Sequence, residues 1–208
     1  MAGRPGLVPP ACGGPTGAFR RGLSGAALPT VAKAGKTAFA EAMLFTHRGL
    51  SGPAILQVSS YWRPGSPISL DLAPDRDATG HLLAMKRDRP RAQPATILAE
   101  MLPARLATAL AAQELPTLPM AEIGDAPLRM LGAMLNGWTL VPDGSEGYAK
   151  AEVTAGGVDT SCLSSRTMEA KSVPGLHVIG EAVDVTGWLG GYNFQWAWAS
   201  GRAAGEAV

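Results

Sequence analysis

The stretch VIGEAVDVTGWLGGYNFQWAWASG, residues 178–201, decides how this chain is read. The apolar run from Leu176 to Ile179 predicts a strand ending on Gly180 and Glu181. The carboxyl end of a strand is where open α/β sheets bind ligands. A carboxylate at that end accepts hydrogen bonds from the hydroxyls of a sugar-like chain. Gly190 and Gly191 follow, and glycine lets backbone approach a ligand closely. A helix starting near Tyr192 would offer unsatisfied N–H groups and the positive end of its dipole. The competing reading is a tight strand-to-helix turn in which Phe194, Trp196 and Trp198 fill core. We prefer core filling for the tryptophans and the ligand reading for Glu181 with its double glycine.

Working outward, 208 residues with 46% hydrophobic content can fill one large core or two small ones. The 18 basic side chains nearly cancel the 17 acidic ones, so no field of one sign points to nucleic acid or to an anionic membrane. A small-molecule substrate is expected instead. Cys12 and Cys162 are far apart and outside any CxxC spacing, which argues against a disulfide framework and a zinc site. No apolar leader region and no membrane-span-length apolar run is present, and a soluble, cytoplasmic protein is expected. The 26 glycines and 17 prolines are spread along the chain, which implies many tight turns.

The first 25 residues read as loop with at most one short strand at Leu7 and Val8. Residues 28–45 predict a hairpin turning at Ala34-Gly35-Lys36. Ser51 is placed as the N-cap of a helix that begins at Pro53 and stops at Arg63-Pro64-Gly65. Alternation at Ile68, Leu70 and Leu72 predicts one half-buried strand. Residues 79–136 then change character, with helical patterns over 81–87, over 95–113 with a break or kink at Pro103, and over 125–136. Strand signals return at 138–141 and 148–153.

Three motifs are set aside. Gly35-Lys36-Thr37 lacks the glycine that a phosphate loop needs five positions earlier, where Thr30 stands. The run Gly49-Leu50-Ser51-Gly52-Pro53 fails the nucleophile-elbow pattern at Pro53, so a Ser51–His47 hydrolase has little support. The basic run Lys86, Arg87, Arg89 and Arg91 reads as a solvated face. His47 is kept as a catalytic candidate against a two-to-one expectation of a structural histidine.

Taken in order, FTHRGLSGPAIL, EGYAKAEVTAGGVDT, SSRTMEAKSVPGLHVIGEAVDV and GGYNFQWAWASG resemble the BaiN-type flavoproteins, the YhiN-like or aminoacetone-oxidase-like NAD(P)/FAD-dependent oxidoreductases. The resemblance runs from about Arg4 to Val208. It implies a mixed α+β and α/β fold: a β-rich inserted substrate domain that carries a helical insertion, then the C-terminal strand-helix segment of a glutathione-reductase-type FAD-binding domain. The implied boundaries are 1–78 for the β-rich part, 79–136 for the helical insertion, 137–153 for the return strands and 154–208 for the FAD segment. The family's N-terminal Rossmann unit, with its glycine fingerprint, has no counterpart in this sequence.

By the same resemblance the cofactor is FAD and hydride passes through its N5. Thr154, Ala155, Gly156 and Gly157 would run past the flavin. Gly180 and Glu181 would lie beneath the ribityl and pyrophosphate region, with Asp184 in the same loop. Gly190, Gly191, Tyr192 and Asn193 would lie against the isoalloxazine ring, where the helix start would stabilise the charge of a reduced flavin. His47 falls near the substrate side. NADH, NADPH and oxygen stay open as redox partners. The alternative is a non-catalytic substrate-domain subunit that works with a separately encoded FAD-binding half.

Overall fold

Alternating side chains on either side of Gly35 build the central hairpin, and Gly35 itself has the positive φ of 58° that a two-residue turn demands. The computed structural model describes residues 1–11, 13 and 22–208. The chain forms two compact units, Pro10–Gly144 and Met1–Pro9 with Ser145–Val208. Most of the glycine-rich stretch predicted as loop near residues 12–21 lies outside the described residues.

In the first of these units the hairpin strands Ala27–Ala34 and Thr37–Phe45 pair antiparallel from Ala27↔Leu44 to Ala34↔Thr37. They sit at the centre of a five-stranded antiparallel sheet. Leu50–Ser51 lies outside Thr37–Phe45, and Ile68–Asp71 and then Trp138–Leu140 lie outside Ala27–Ala34. Period-two alternation turns Leu28, Ala32, Met43 and Phe45 into the core, as the pleat requires. Helix Pro53–Ser59 covers this face with Ala54, Ile55 and Val58 buried.

Ser51 does not cap that helix. It is the last residue of an edge strand, and Gly52 occupies the N-cap with no side-chain cap. Gly52 has φ 90°, and a Cβ there would stand 2.8 Å from the Ala42 carbonyl oxygen, so only glycine fits where the chain leaves the sheet. The helix also ends earlier than predicted, at Ser59.

The helical region consists of Ala78–Asp88, Pro94–Leu98, Ala104–Glu114 and Asp125–Leu135. Pro103 separates the middle two, since its ring occupies the N-cap of the third and cannot donate into a continuous helix. Leu82, Leu106, Leu110, Leu128, Leu131 and Leu135 are buried in one cluster that continues into the sheet core. Helices Ala78–Asp88 and Asp125–Leu135 pack closely where Gly132 meets Thr79, and a Cβ at Gly132 would be 2.5 Å from the Thr79 Cα. Asn136 finishes this junction. Its Nδ2 donates to Asp71 Oδ1 at 2.9 Å and to the Arg76 carbonyl at 3.0 Å, while its Oδ1 accepts from the Ala78 amide at 2.9 Å.

The second unit is built on different chemistry. Arg4–Gly6 pairs antiparallel with Val153–Ala155. The predicted strand at Leu7 and Val8 is displaced to Arg4–Gly6, because Leu7 turns the chain out of the ladder at φ 46°. The predicted strand at 148–153 is instead a 3-10 turn at Gly147–Ala149 followed by the strand Val153–Ala155. Residues 176–179 carry no ladder, only an isolated bridge at His177, because no described strand lies beside them. Gly180–Ala182 is a 3-10 turn.

Helix Tyr192–Gly205 closes the chain. Its aromatic residues depart from the core-filling expectation. Trp196 packs against the small core of Leu163, Met168 and Val183, but Phe194 and Trp198 are each 69% exposed. No described element covers their face. Among the described residues, no helix is long and apolar enough to cross a membrane.

Candidate functional site

The site lies in the unit that contains the C-terminal helix. Gly180 is fixed to that helix from both sides: its amide donates to Ser200 Oγ at 2.9 Å, and its carbonyl accepts from Trp196 Nε1 at 3.0 Å. Ser200 is buried and its hydroxyl bonds back to the Trp196 carbonyl at 2.7 Å. The left-handed φ of 59° at Gly180 turns the chain so that Glu181 follows at the edge of a cavity. Glu181 Oε1 accepts from the Thr154 amide at 2.7 Å, which links the strand Val153–Ala155 to the 3-10 turn.

That cavity has a volume of about 300 Å³. Glu152 and Glu181 supply its acidic groups, Trp188, Phe194 and Trp196 its aromatic walls, and Gly190 and Gly191 bare backbone. Gly191 is the N-cap of the helix, at φ 89°, with no side-chain cap, and a Cβ there would meet nothing. The start of the helix therefore faces open space with its backbone uncovered, and carries a partial positive charge of about half a unit. No Lys, Arg or His lines the cavity among the described residues.

The predicted site residues divide into groups. Glu181, Gly190, Gly191 and Asn193 all line the cavity. Asn193 does so while holding a loop: its Oδ1 accepts from the Gly187 amide at 2.8 Å, and its Nδ2 donates to the Gly187 carbonyl at 3.2 Å. Tyr192 is exposed, with its ring 3.5 Å from where a Gly190 Cβ would be. Gly180 is behind the cavity, against the helix. Asp184 is half-buried, and its amide bonds to the Val158 carbonyl at 2.8 Å.

The stretch 154–157 is held by the chain itself. Ala155 is buried. A Cβ at Gly156 would stand 2.4 Å from the Ala2 carbonyl oxygen, and one at Gly157 2.5 Å from that of Ala182. Backbone-to-backbone contact thus accounts for both glycines. His47 belongs to the other unit, exposed on a turn in which Thr46 Oγ1 accepts from the Gly49 amide at 3.0 Å.

Several cavity residues escaped the sequence reading, among them Glu152, Trp188 and Leu7. Leu7 is a buried side chain held at positive φ, and its carbonyl accepts from the Glu152 amide at 3.3 Å. Only the unusual φ could have flagged it, and no sequence pattern encodes that for leucine. Among the described residues no group of His, Cys, Asp or Glu is placed to hold a metal ion.

Comparison with known proteins adds the following. Residues 4–153 match the family described as "HI0933-like protein barrel and H2TH domain". The chain is 48% identical over 205 residues to a ribosomal RNA dihydrouridine synthase of Escherichia coli strain K12, covering 98% of this chain and 51% of that protein. It is 43% identical over 196 residues to the protein of the same name from Haemophilus influenzae, covering 93% and 49%. It is 30% identical over 177 residues to a 3-dehydro-bile acid delta(4,6)-reductase of Clostridium scindens, covering 80% and 43%. The chain therefore spans about half the length of the curated relatives it matches.

Proposed function

This chain belongs to the HI0933-like family, the family of BaiN- and YhiN-like flavoproteins, and from that premise we propose that it is part of a flavin-dependent enzyme that reduces a uridine in ribosomal RNA to dihydrouridine. The observation that carries the proposal is the C-terminal cavity, where Glu181, an uncapped helix start and bare glycine backbone meet between aromatic walls. The substrate class follows from the higher identity to the two dihydrouridine synthases than to the bile acid reductase. It replaces the small-molecule substrate, and the absence of nucleic acid, that composition alone suggested.

The cavity residues fit a flavin. Its aromatic walls suit a planar ring, and the open space at Gly191 admits a ring edge where any side chain would intrude. We take the flavin to be FAD, with NADH or NADPH as the source of electrons. When bound, the flavin would supply hydride from N5 to one carbon of the uracil C5=C6 bond while the other carbon takes a proton.

The chain's own residues orient and shield. Glu181, steadied by the Thr154 amide, keeps lone pairs to accept from ribityl hydroxyls. The first-turn amides at Tyr192 and Asn193 would hold the pyrimidine edge, where the helix dipole favours negative charge. Trp188 and Phe194, both exposed where they line the cavity, would be covered by a bound ring and would shield one side of it from water. Thr154 to Gly157 would run past the flavin beside Val153, which lines the cavity, Gly180 fixes the turn, and Asp184 follows in the same loop. His47, in the other unit, stays a catalytic candidate on the family resemblance alone.

A second reading makes this chain a non-catalytic partner of a separately encoded FAD-binding half. It is favoured by Phe194 and Trp198, two exposed rings with centroids 6.2 Å apart. Escherichia coli lacking its ribosomal RNA dihydrouridine synthase separates the two readings, with dihydrouridine in ribosomal RNA measured by mass spectrometry. Restoration by this chain alone supports the enzyme. Restoration only when the N-terminal half of the Escherichia coli protein is co-expressed supports the partner reading, and none in either case contradicts both.

A further inference from the structure

The polar side chains around the C-terminal cavity are not equally committed. Asn193 spends its oxygen and its NH₂ on the 187–188 loop. Glu181 is engaged through Oε1 by the Thr154 amide. Glu152 lines the same cavity and has its backbone tied to the Leu7 carbonyl, but its carboxylate is exposed and has no hydrogen-bond or ion-pair partner among the described residues, so water holds it. An ionised carboxylate can only accept. A ligand that displaces this water must therefore bring a donor to Glu152, and aromatic walls with no cation select a neutral planar one.

We propose that Glu152 is a specificity-determining residue that accepts a hydrogen bond from an imide N–H, the N–H set between two carbonyls in a pyrimidinedione ring. The proposal rests on the flavin and uridine reading above, because both the flavin ring and uracil carry this group at N3. Cytosine, which has an acceptor at that position, would face the carboxylate lone pair to lone pair. The site then rejects it because the ligand strips water from the exposed carboxylate and returns no donor, which costs more than the bond itself gains. Glu152 acts on recognition, and no proton needs to leave it.

The test uses this chain and four ligands: riboflavin and 3-methylriboflavin, uridine and 3-methyluridine. Trp188 and Trp196 line the cavity, so tryptophan fluorescence reports binding. Methylation at N3 should weaken one of the two pairs by at least about tenfold, the loss of one charge-assisted hydrogen bond. In Glu152→Ala that methylation penalty should fall to near unity while binding of the methylated ligand is kept. Glu152 is exposed, so the truncation leaves the core untouched, and circular dichroism of the variant checks this.

A penalty confined to the flavin pair identifies the cofactor as the imide that is read. A penalty confined to the uridine pair identifies the substrate. Equal affinities within both pairs, a penalty that persists in Glu152→Ala, or no binding of any of the four overturns the proposal. Restoration of dihydrouridine in cells would still stand in those cases, so a failure here is distinct from a failure of the functional reading.

Discussion

The amide of Thr154 donates to Oε1 of Glu181 at 2.7 Å, across 27 residues of sequence. The bond fixes which face of the 3-10 turn Gly180–Ala182 meets the cavity, and it couples the strand Val153–Ala155 to the helix through Gly180 and Ser200. Glu181→Gln keeps an acceptor for Thr154 but removes the charge, whereas Glu181→Ala leaves that amide unpaired. We predict that flavin content of the protein in complex with an FAD-binding half falls by about tenfold in Glu181→Ala and by less in Glu181→Gln. Equal content in all three proteins would remove Glu181 from the cofactor site.

Gly132 sits where two helices cross, with Thr79 backbone occupying the space of a side chain. Gly132→Ala should force the helices apart and lower stability by about 1–3 kcal/mol, more than the gain in helix propensity returns. Urea unfolding of the variant and the parent measures the difference.

Asn136 serves three segments at once: the Asp71 side chain, the carbonyls of Ala73 and Arg76, and the amide of Ala78. Asn136→Ala leaves several of these groups without partners and should cost about 1–3 kcal/mol. Asn136→Asp keeps the acceptor for Ala78 but places a carboxylate against Asp71 Oδ1 and two carbonyls. It should be at least as damaging.

Lys86 Nζ donates to Asp125 Oδ1 at 2.6 Å and joins the two helices that cross at Gly132. That hydrogen bond, together with the charge of Lys86, lowers the Asp125 pKa below its ordinary value of 3.8. A depressed carboxylate pKa contributes stability that is present above the unfolded value and is lost as pH falls through the folded one. Lys86→Met should therefore remove that small contribution at neutral pH, flatten the acid limb below about pH 4, and leave stability at still lower pH, where Asp125 is protonated, unchanged. The pair is solvent-exposed, so high salt should have the same effect as the mutation.

How much of this was legible in the sequence depends on whether a pattern has its partner in the same stretch of chain. The hairpin at Gly35, the break at Pro103 and the helix Asp125–Leu135, with Leu128, Leu131 and Leu135 on one face, are local patterns that packing did not override. Ser51 failed as a cap because the strand Leu50–Ser51 claimed it first, a tertiary pairing that propensity does not see. Residues 176–179 are apolar enough for a strand, but a ladder needs a neighbour. Phe194 and Trp198 fit the helical core pattern equally well whether or not something covers them. In the site, glycines and Glu181 stood out by type. Glu152 did not, because a glutamate among Lys150, Ala151 and Val153 reads as solvent face until the fold turns it toward the cavity.

Phe194 and Trp198 make a contiguous aromatic face on the helix that also supplies Trp196 to the core. Phe194→Ser with Trp198→Ser should reduce self-association in sedimentation velocity without lowering the unfolding midpoint, since neither ring is buried. A large loss of stability would mean that the rings are covered within this chain.

The visible absorption spectrum tests the central claim most directly. The purified chain is mixed with FAD, passed through gel filtration, and compared with Glu181→Ala. The account predicts a flavin band that travels with the wild-type protein, is released on denaturation and is weakened in the variant. A folded wild-type protein that leaves the column colourless would contradict the claim that this cavity, on this chain, holds the flavin.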